Sequence, residues 1–216
     1  MKELERKNQL ALEIARQIFQ KKIDVIFIGG TALNSFYLDY RYSEDIDLGY
    51  IRKSPKHEIE KLLRECGYQI SKTNFSYRDI VSFDGIQIKM DIIEYKKKYN
   101  GIIKKLIGDV NVKTLEIEEF MIDKTICFFT RENMIGMARD GYDLFYMQQK
   151  YGFVLDLATK AKKIIRKEIV SIDFNIDLFQ DNLQNIEYGI APYLKTPINA
   201  KDVLVFLKRL RGVLNE

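Results

Sequence analysis

The sequence contains 216 residues, enough for one sizeable domain or two small ones. Hydrophobic residues make up 46% and charged residues 31%, an ordinary globular composition that excludes a disordered chain. The net charge of +4 is mildly basic and does not by itself indicate nucleic-acid binding. The apolar runs are too short to span a membrane, and no signal peptide is visible. We therefore expect a cytoplasmic protein without membrane association.

Histidine and cysteine are scarce, which narrows the classes of catalytic site. His57 is the only histidine, so the sequence offers almost no residues for a histidine-based nucleophilic mechanism or for a zinc site. Cys66 and Cys127 are isolated thiols without metal-ligand spacing, and they fit a reducing compartment.

The first half of the sequence predicts a mixed α/β arrangement. Hydrophobic periodicity predicts helices over 4–20, 31–38 and 54–66, and apolar runs predict strands at 23–28, 46–51, 68–71, 77–83, 86–95 and 110–112. Asp84-Gly85, between two of these apolar runs, is a strong signal for a β-hairpin.

After Thr114 the pattern becomes helical, with predicted helices at 116–131, 138–150, 153–169, 176–186 and 200–214. We therefore predict an α/β domain at 1–114 and a helical domain at 115–216. Lysine and arginine cluster at 96–98, 160–167 and 208–211. Such clusters are typical of either a polyanion contact or a solvated helix face.

An acidic pattern follows the turn at Gly29-Gly30. Two glycines let the backbone approach a ligand closely, and the start of the following helix suits phosphate oxygens. Asp45 and Asp47 stand two positions apart in a predicted strand, so their carboxylates project from one face of the sheet. Asp91, in a later strand, offers a third carboxylate. Because hard oxygen ligands suit Mg²⁺, this order of features predicts a metal-dependent phosphoryl- or nucleotidyl-transfer site.

The same segments carry a resemblance to a known family. The strings IGGTAL at 28–33 and RYSEDIDL at 41–48 resemble the opening signature of the AbiEii/AbiGii toxin nucleotidyltransferases, a branch of the polymerase β-like superfamily. Lys124, followed by ARDGYDL at 138–144, is similar to the distal motif of that family. The resemblance implies an α+β fold: a polymerase β-like nucleotidyltransferase core, with a small mixed sheet and flanking helices, followed by a C-terminal helical bundle.

The resemblance also implies roles for individual residues. The implied metal ligands are Asp45, Asp47 and Asp91, and the implied catalytic set adds Lys124 and Asp143 to these three. The residues implied to bind the nucleotide are Gly29, Gly30, Thr31, Ser43, Lys124, Arg139 and Asp140. The distal functional acid is either Asp140 or Asp143. Asp143 is favoured, in which case Asp140 would pair with Arg139.

The activity implied by the resemblance is transfer of a nucleoside monophosphate from an NTP to a hydroxyl, with Mg²⁺ or Mn²⁺ as cofactor. The expected partners are the NTP, an RNA acceptor such as the tRNA 3′ end, and a cognate antitoxin encoded nearby, since the family consists of toxins of toxin–antitoxin or phage-defence systems. Two alternatives remain open. One is an enzyme of the same fold that acts on a small molecule such as an aminoglycoside, and the other is a catalytically inactive binding module.

Overall fold

The computed structural model describes residues 2–96, 101–169 and 171–215. The chain divides into two compact units, Met1–Ile117 and Glu118–Glu216, so the division falls in the first turn of a helix rather than after residue 114. Lys97 and Lys98, from one predicted basic cluster, lie outside the described residues. Among the described helices, none has both the length and the apolar character that crossing a membrane requires.

Unit 1 combines helices with one mixed sheet. The described helices are α1 (Lys2–Gln20), α2 (Gly29–Leu33), which continues as a π-helix over Asn34–Leu38, and α3 (Lys56–Glu65). The described strands are β1 (Ile26–Ile28), β2 (Asp45–Tyr50), β3 (Gln69–Lys72), β4 (Arg78–Phe83), β5 (Ile86–Glu94), β6 (Ile102–Ile107) and β7 (Val110–Leu115). They form a seven-stranded sheet in the order β3-β4-β5-β2-β1-β7-β6.

The centre of this sheet is formed by β2, which pairs antiparallel with β1 and parallel with β5. Side chains alternate along β2 and β5. Ile46 and Leu48 are fully buried, as is Met90, the Cα partner of Ile46. The carboxylates of β2 and β5 therefore project from the opposite face, which is where the candidate site lies.

Three strands differ from the sequence prediction, one of them β7, which continues to Leu115 instead of ending at residue 112. β6 is not predicted, although it pairs antiparallel with β7 along its whole length. β1 is shorter than predicted because the chain turns just before it: Lys22 has a positive φ of 59°, and the Val25 amide donates to the Ile23 carbonyl. The hairpin prediction is confirmed, since Asp84 and Gly85 join β4 to β5 with φ values of 48° and 72°.

Unit 2 is helical in its described part. Its helices are α4 (Ile117–Thr130), α5 (Met134–Tyr151), α6 (Val154–Glu168), α7 (Asp173–Asp181), α8 (Leu183–Ile190) and α9 (Ala200–Asn215). α5 begins earlier than predicted because the Asn133 side chain caps it, accepting a hydrogen bond from the Gly136 amide at 2.7 Å. Tyr142 and Phe179 are fully buried near each other in the core.

Candidate active site

Gly29 and Asp47 approach each other so closely that a side chain at position 29 is excluded. Gly29 has a φ of +74°, and a Cβ built on it would lie 1.8 Å from Oδ2 of Asp47. The neighbouring Ile28 is the Cα partner of Asp47 across the β1–β2 pair. The Asp47 carboxylate therefore lies against the bare backbone where β1 becomes α2, as the Gly-Gly turn predicts.

Gly30 has a different pair of neighbours, Arg41 and Ser43, which come shortly before Asp45 in the sequence. A Cβ at Gly30 would lie 2.9 Å from a guanidinium nitrogen of Arg41 and 3.2 Å from Oγ of Ser43. Both side chains are almost completely buried. The structure thus brings Ser43, a predicted nucleotide-binding residue, to the glycine turn, together with Arg41.

Thr31 connects the short helix to the acidic strand. Its buried hydroxyl donates a hydrogen bond to the Asp45 main-chain carbonyl. The Asn34 side-chain amide donates to the Gly30 carbonyl at 3.0 Å and so braces the same turn. The Thr31 hydroxyl is therefore committed to β2, next to the Asp45 side chain.

The three predicted acidic residues lie on one face of the sheet, on two neighbouring strands. Asp45 and Asp47 are two positions apart on β2, and Asp91 on β5 is the Cα partner of Asp47. Parallel neighbours in register point their side chains to the same face. Lys89 is the corresponding partner of Asp45 and is exposed on the same face.

Arg78 is the residue at this site that the sequence interpretation overlooked. Its Nε and Nη2 donate to Oδ1 and Oδ2 of Asp91 at 2.7 and 2.6 Å, a bidentate charge-assisted pair. These hydrogen bonds raise the pKa of Arg78 above its ordinary value against the opposing effect of partial burial, with the charges of Asp91 and Asp45 adding to the rise. The hairpin signal could have located this pair: counting outward from Asp84-Gly85, the sixth facing pair is Arg78 and Asp91.

A shallow depression of ≈ 240 Å³ lies beside Asp45 on unit 1. Lys7 and Glu44, whose side chains approach to 3.4 Å, form one side of it, and Lys89 contributes an exposed cation. The remaining lining residues are Ile80, Gln87 and Ile88. The depression thus carries two lysines and two carboxylates, and Lys89 is exposed to solvent beside Asp45.

The donor set suits a hard divalent cation, although the described residues contain no preformed cluster of three metal-ligating side chains. Asp45 and Asp47 supply carboxylate oxygens from one strand face. Mg²⁺ is commonly bound by one or two carboxylates together with water and substrate phosphates. Both oxygens of Asp91 are engaged by Arg78, so Asp45 and Asp47 are the better-placed pair.

The distal motif forms a buried ion-pair cluster within unit 2. Nζ of Lys124 lies 2.6 Å from Oδ1 of Asp140 and 2.9 Å from Oδ2 of Asp143, and Nε of Arg131 lies 2.9 Å from Oδ2 of Asp140. Lys124, Asp140 and Asp143 are all buried. The Arg139 guanidinium lies 5.3 Å from the centroid of the Tyr193 ring. Lys124 thus contacts both candidate distal acids at once, and the partners found for Asp140 here are Lys124 and Arg131.

Comparisons with known proteins identify the family and the fold. The family described as Nucleotidyl transferase AbiEii toxin, Type IV TA system, matches residues 11–189. A Helicobacter pylori protein assigned as a nucleotidyltransferase has a similar structure, with 18% identity, a TM-score of 0.58, and 96% of each chain covered.

Two further structures share the fold. JHP933 from Helicobacter pylori has 17% identity and a TM-score of 0.56, with 96% of this chain and 93% of that chain covered. An antigenic nucleotidyltransferase-like protein from Paracoccidioides brasiliensis has 13% identity and a TM-score of 0.53, with 90% and 95% covered. A comparison with functionally curated proteins gave no match. The predicted resemblance and the α+β fold are confirmed, and the chain belongs to the AbiEii family of nucleotidyltransferase toxins.

Proposed function

We propose that this nucleotidyltransferase moves a nucleoside monophosphate from an NTP to a hydroxyl group of RNA, with the tRNA 3′ end as the leading acceptor. The observation that carries the proposal is the placement of Asp45, Asp47 and Asp91 on one face of neighbouring strands, beside a glycine turn that admits no side chain. Family membership supports the reaction class. It also supports a role as a toxin whose cognate antitoxin is encoded nearby.

In this proposal Asp45 and Asp47 hold Mg²⁺ or Mn²⁺, and Asp91 completes the acidic set. A divalent ion bound there supplies charge to offset the transferring phosphate and lowers the pKa of the attacking hydroxyl. Gly29 and Gly30 allow the backbone to lie close to the substrate, and Ser43 lies beside Gly30 with its Oγ directed at the turn. The Thr31 hydroxyl holds β2, and with it Asp45, in place.

The chemical step is an in-line displacement at the α-phosphorus of the NTP. The acceptor hydroxyl loses its proton to solvent, its oxygen bonds to the α-phosphorus, and the bond to the β-phosphate oxygen breaks, which releases pyrophosphate. In this proposal Asp91 orients the acceptor hydroxyl. A carboxylate has about four lone-pair positions, and Arg78 occupies only two of those on Asp91.

The distal cluster is proposed to contribute to nucleotide binding through Lys124 and Arg139. Asp140 and Asp143 both contact the Lys124 ammonium, so these carboxylates would fix its position. Asp143, whose side chain is fully buried, remains the favoured distal functional acid.

RNA is favoured over an aminoglycoside-type acceptor by charge. An aminoglycoside is a polycation, and the exposed Lys89 beside Asp45 would repel it. The other lysine of that depression, Lys7, is ion-paired with Glu3 and Glu44. Phosphate groups of RNA would be attracted to Lys89.

The test is incubation of the purified chain with total tRNA, Mg²⁺ and each α-labelled NTP in turn. We expect transfer of label to RNA by the wild-type chain and a loss of about 1,000-fold or more in Asp47→Asn, because the charge of one metal-ligating carboxylate is removed. Asp109→Asn, at an exposed turn of the same unit, is the matched control and should keep full activity. Absence of label on RNA with all four NTPs would rule out the RNA acceptor while leaving the family assignment intact.

A further inference from the structure

We propose that Phe75, Tyr77 and Arg78 form a stacking platform for the terminal nucleobase of the acceptor RNA. The inference rests on the proposed function and deepens it by assigning the substrate class to particular side chains. The three residues are called the stacking platform below.

The stacking platform exposes two aromatic rings side by side. Phe75 is 53% exposed and Tyr77 is 39% exposed, and their ring centroids lie 5.5 Å apart with planes inclined at 35°. The Arg78 guanidinium carbon lies 5.7 Å from the Phe75 centroid and 5.6 Å from that of Tyr77. Exposed aromatic rings and guanidinium groups are the side chains on which single-stranded bases stack.

The backbone that carries the rings is held by hydrogen bonds, so the stacking platform is preorganised. The Phe75 amide donates to Oγ1 of Thr73 at 3.2 Å, and that hydroxyl donates to the Arg78 carbonyl at 2.8 Å. Lys56 donates to the Ser76 carbonyl at 2.6 Å. The Tyr77 carbonyl accepts from the Ile92 amide at 2.8 Å, next to Asp91. A backbone held in this way needs little reordering when a base binds the rings.

The position of the stacking platform favours the acceptor over the NTP as its ligand. Arg78 is bonded directly to Asp91, the residue that orients the acceptor hydroxyl in the proposed function. The glycine turn lies on the other side of β2, because β4, β5, β2 and β1 are consecutive in the sheet. The strands β4 and β2 are separated by two strand spacings, about 10 Å, which is comparable with the length of one nucleoside. A base on the stacking platform would thus place its own sugar hydroxyls near the carboxylates.

The same groups argue against a polycationic small molecule. The Arg78 guanidinium already lies near both rings, so an ammonium group would compete with it for the ring faces. A neutral nucleobase has no such competitor, because it binds the rings by stacking. The stacking platform therefore suits a nucleobase better than an ammonium group.

The experiment compares the full-length wild-type chain with Phe75→Ala/Tyr77→Ala. The control is Tyr188→Ala, which removes an 86% exposed tyrosine from unit 2. Binding of a fluorescent 12-nucleotide single-stranded RNA and binding of a fluorescent NTP analogue are measured separately at one fixed salt concentration. We expect the double variant to bind the RNA about tenfold or more weakly, with NTP affinity and melting temperature unchanged. Phe75→Trp should keep RNA binding and Phe75→Leu should lose part of it.

The outcomes separate this inference from the proposed function. Equal RNA affinity in wild type and double variant overturns the stacking platform, and so does a loss confined to the NTP analogue, which would assign the rings to the nucleotide base. A wild-type chain that binds no RNA overturns it as well. The transfer assay with labelled NTPs independently decides whether RNA is the acceptor, because the binding measurement needs no catalysis.

Discussion

Arg78 donates two hydrogen bonds to Asp91, from Nε to Oδ1 at 2.7 Å and from Nη2 to Oδ2 at 2.6 Å. Asp91 faces Asp47 across the β2–β5 pair, so the guanidinium compensates one of three carboxylates that share a sheet face. Like charges held close together are unfavourable unless cations compensate them. Arg78 therefore supplies part of the positive charge of the site from within the chain, and its hydrogen bonds to Asp91 raise the pKa of the guanidinium above its ordinary value.

Replacing Arg78 should alter the dependence on metal. In Arg78→Gln the acidic face loses its internal cation, so we expect Mg²⁺ to half-saturate the enzyme at about tenfold lower concentration. Turnover should fall as well, because Asp91 is no longer held in one orientation. Steady-state rates across a Mg²⁺ series measure both effects. Arg78→Lys keeps the charge without the bidentate geometry, so it should lower turnover with little change in metal dependence. Equal Mg²⁺ dependence in wild type, Arg78→Gln and Arg78→Lys would contradict the charge argument.

Gly29 should be essential for activity because of one contact. Gly29→Ala would place a Cβ 1.8 Å from Oδ2 of Asp47, so the carboxylate must move. Such a displacement should lower transfer by about 100-fold. Gly67→Ala is the matched control, since Gly67 has a φ of +86° but no atom within 4 Å of the added Cβ. Both variants should lose about 1 kcal/mol of stability to the positive φ, and only Gly29→Ala should lose activity. Equal activity in the two variants would show that the Asp47 contact is unimportant.

The parts of the site that sequence predicts are local ones. Gly29-Gly30 and the two aspartates of β2 stand within one short stretch, where strand alternation fixes which side chains share a face. The Asp84-Gly85 hairpin is equally local, because positive φ at both residues suits only a few residue types.

The parts that sequence did not predict depend on distant pairing. β6 carries Lys104-Lys105 within an apolar run, and it becomes a strand by pairing with β7. The identity of the Lys124 partners likewise depends on how α4 packs against α5, which periodicity alone does not determine. Arg78 is an intermediate case, because only the hairpin register brings it opposite Asp91.

Glu60 should make the stability of unit 1 depend on acidity. Burial alone would raise the pKa of Glu60, but hydrogen bonds and charge from Lys72 and Arg64 lower it below its ordinary value. Because the folded pKa is lower than the unfolded one, near 4.3, this contribution is fully present above that pH. It is lost as the pH falls through the folded pKa.

The measurement is urea unfolding of wild type and Glu60→Gln between pH 7 and pH 3. We expect the variant to be less stable by about 1 kcal/mol at pH 7, with the gap closing at the acidic end. Glu65→Gln, on the exposed end of the same helix, serves as the control and should follow the wild type. A gap that stays constant over the whole range contradicts this role of the Glu60 carboxylate.

Tyr142 should tolerate loss of its hydroxyl. The side chain is fully buried, burial together with the charge of Glu187 raises its pKa to about 12, and Oη has no hydrogen-bond partner among the described residues. A buried hydroxyl without a partner costs stability, so Tyr142→Phe should be neutral or more stable by about 1 kcal/mol. Chemical denaturation measures the change, and a clear destabilisation would reveal a bond made by this hydroxyl.

Lys124 allows the structural and nucleotide-binding roles of the distal motif to be separated. Lys124→Met leaves Asp140 and Asp143 buried without the shared ammonium, which should cost about 3–5 kcal/mol. In this variant Asp140 keeps its contact with Arg131, at 2.9 Å, so the loss of the lysine affects Asp143 more than Asp140. Lys124→Met/Asp143→Leu should therefore regain part of the lost stability.

The decisive comparison is between stability and NTP affinity in that double variant. If Lys124 binds the nucleotide, NTP affinity should stay low, at least tenfold below wild type, even though the fold is partly restored. Lys163→Met removes an exposed lysine of the same unit and should change neither quantity. Wild-type NTP affinity in the double variant would mean that Lys124 only holds α4 and α5 together. Unchanged stability in Lys124→Met would mean that the buried ion pairs contribute little net energy, because their mutual attraction only offsets the cost of desolvating them.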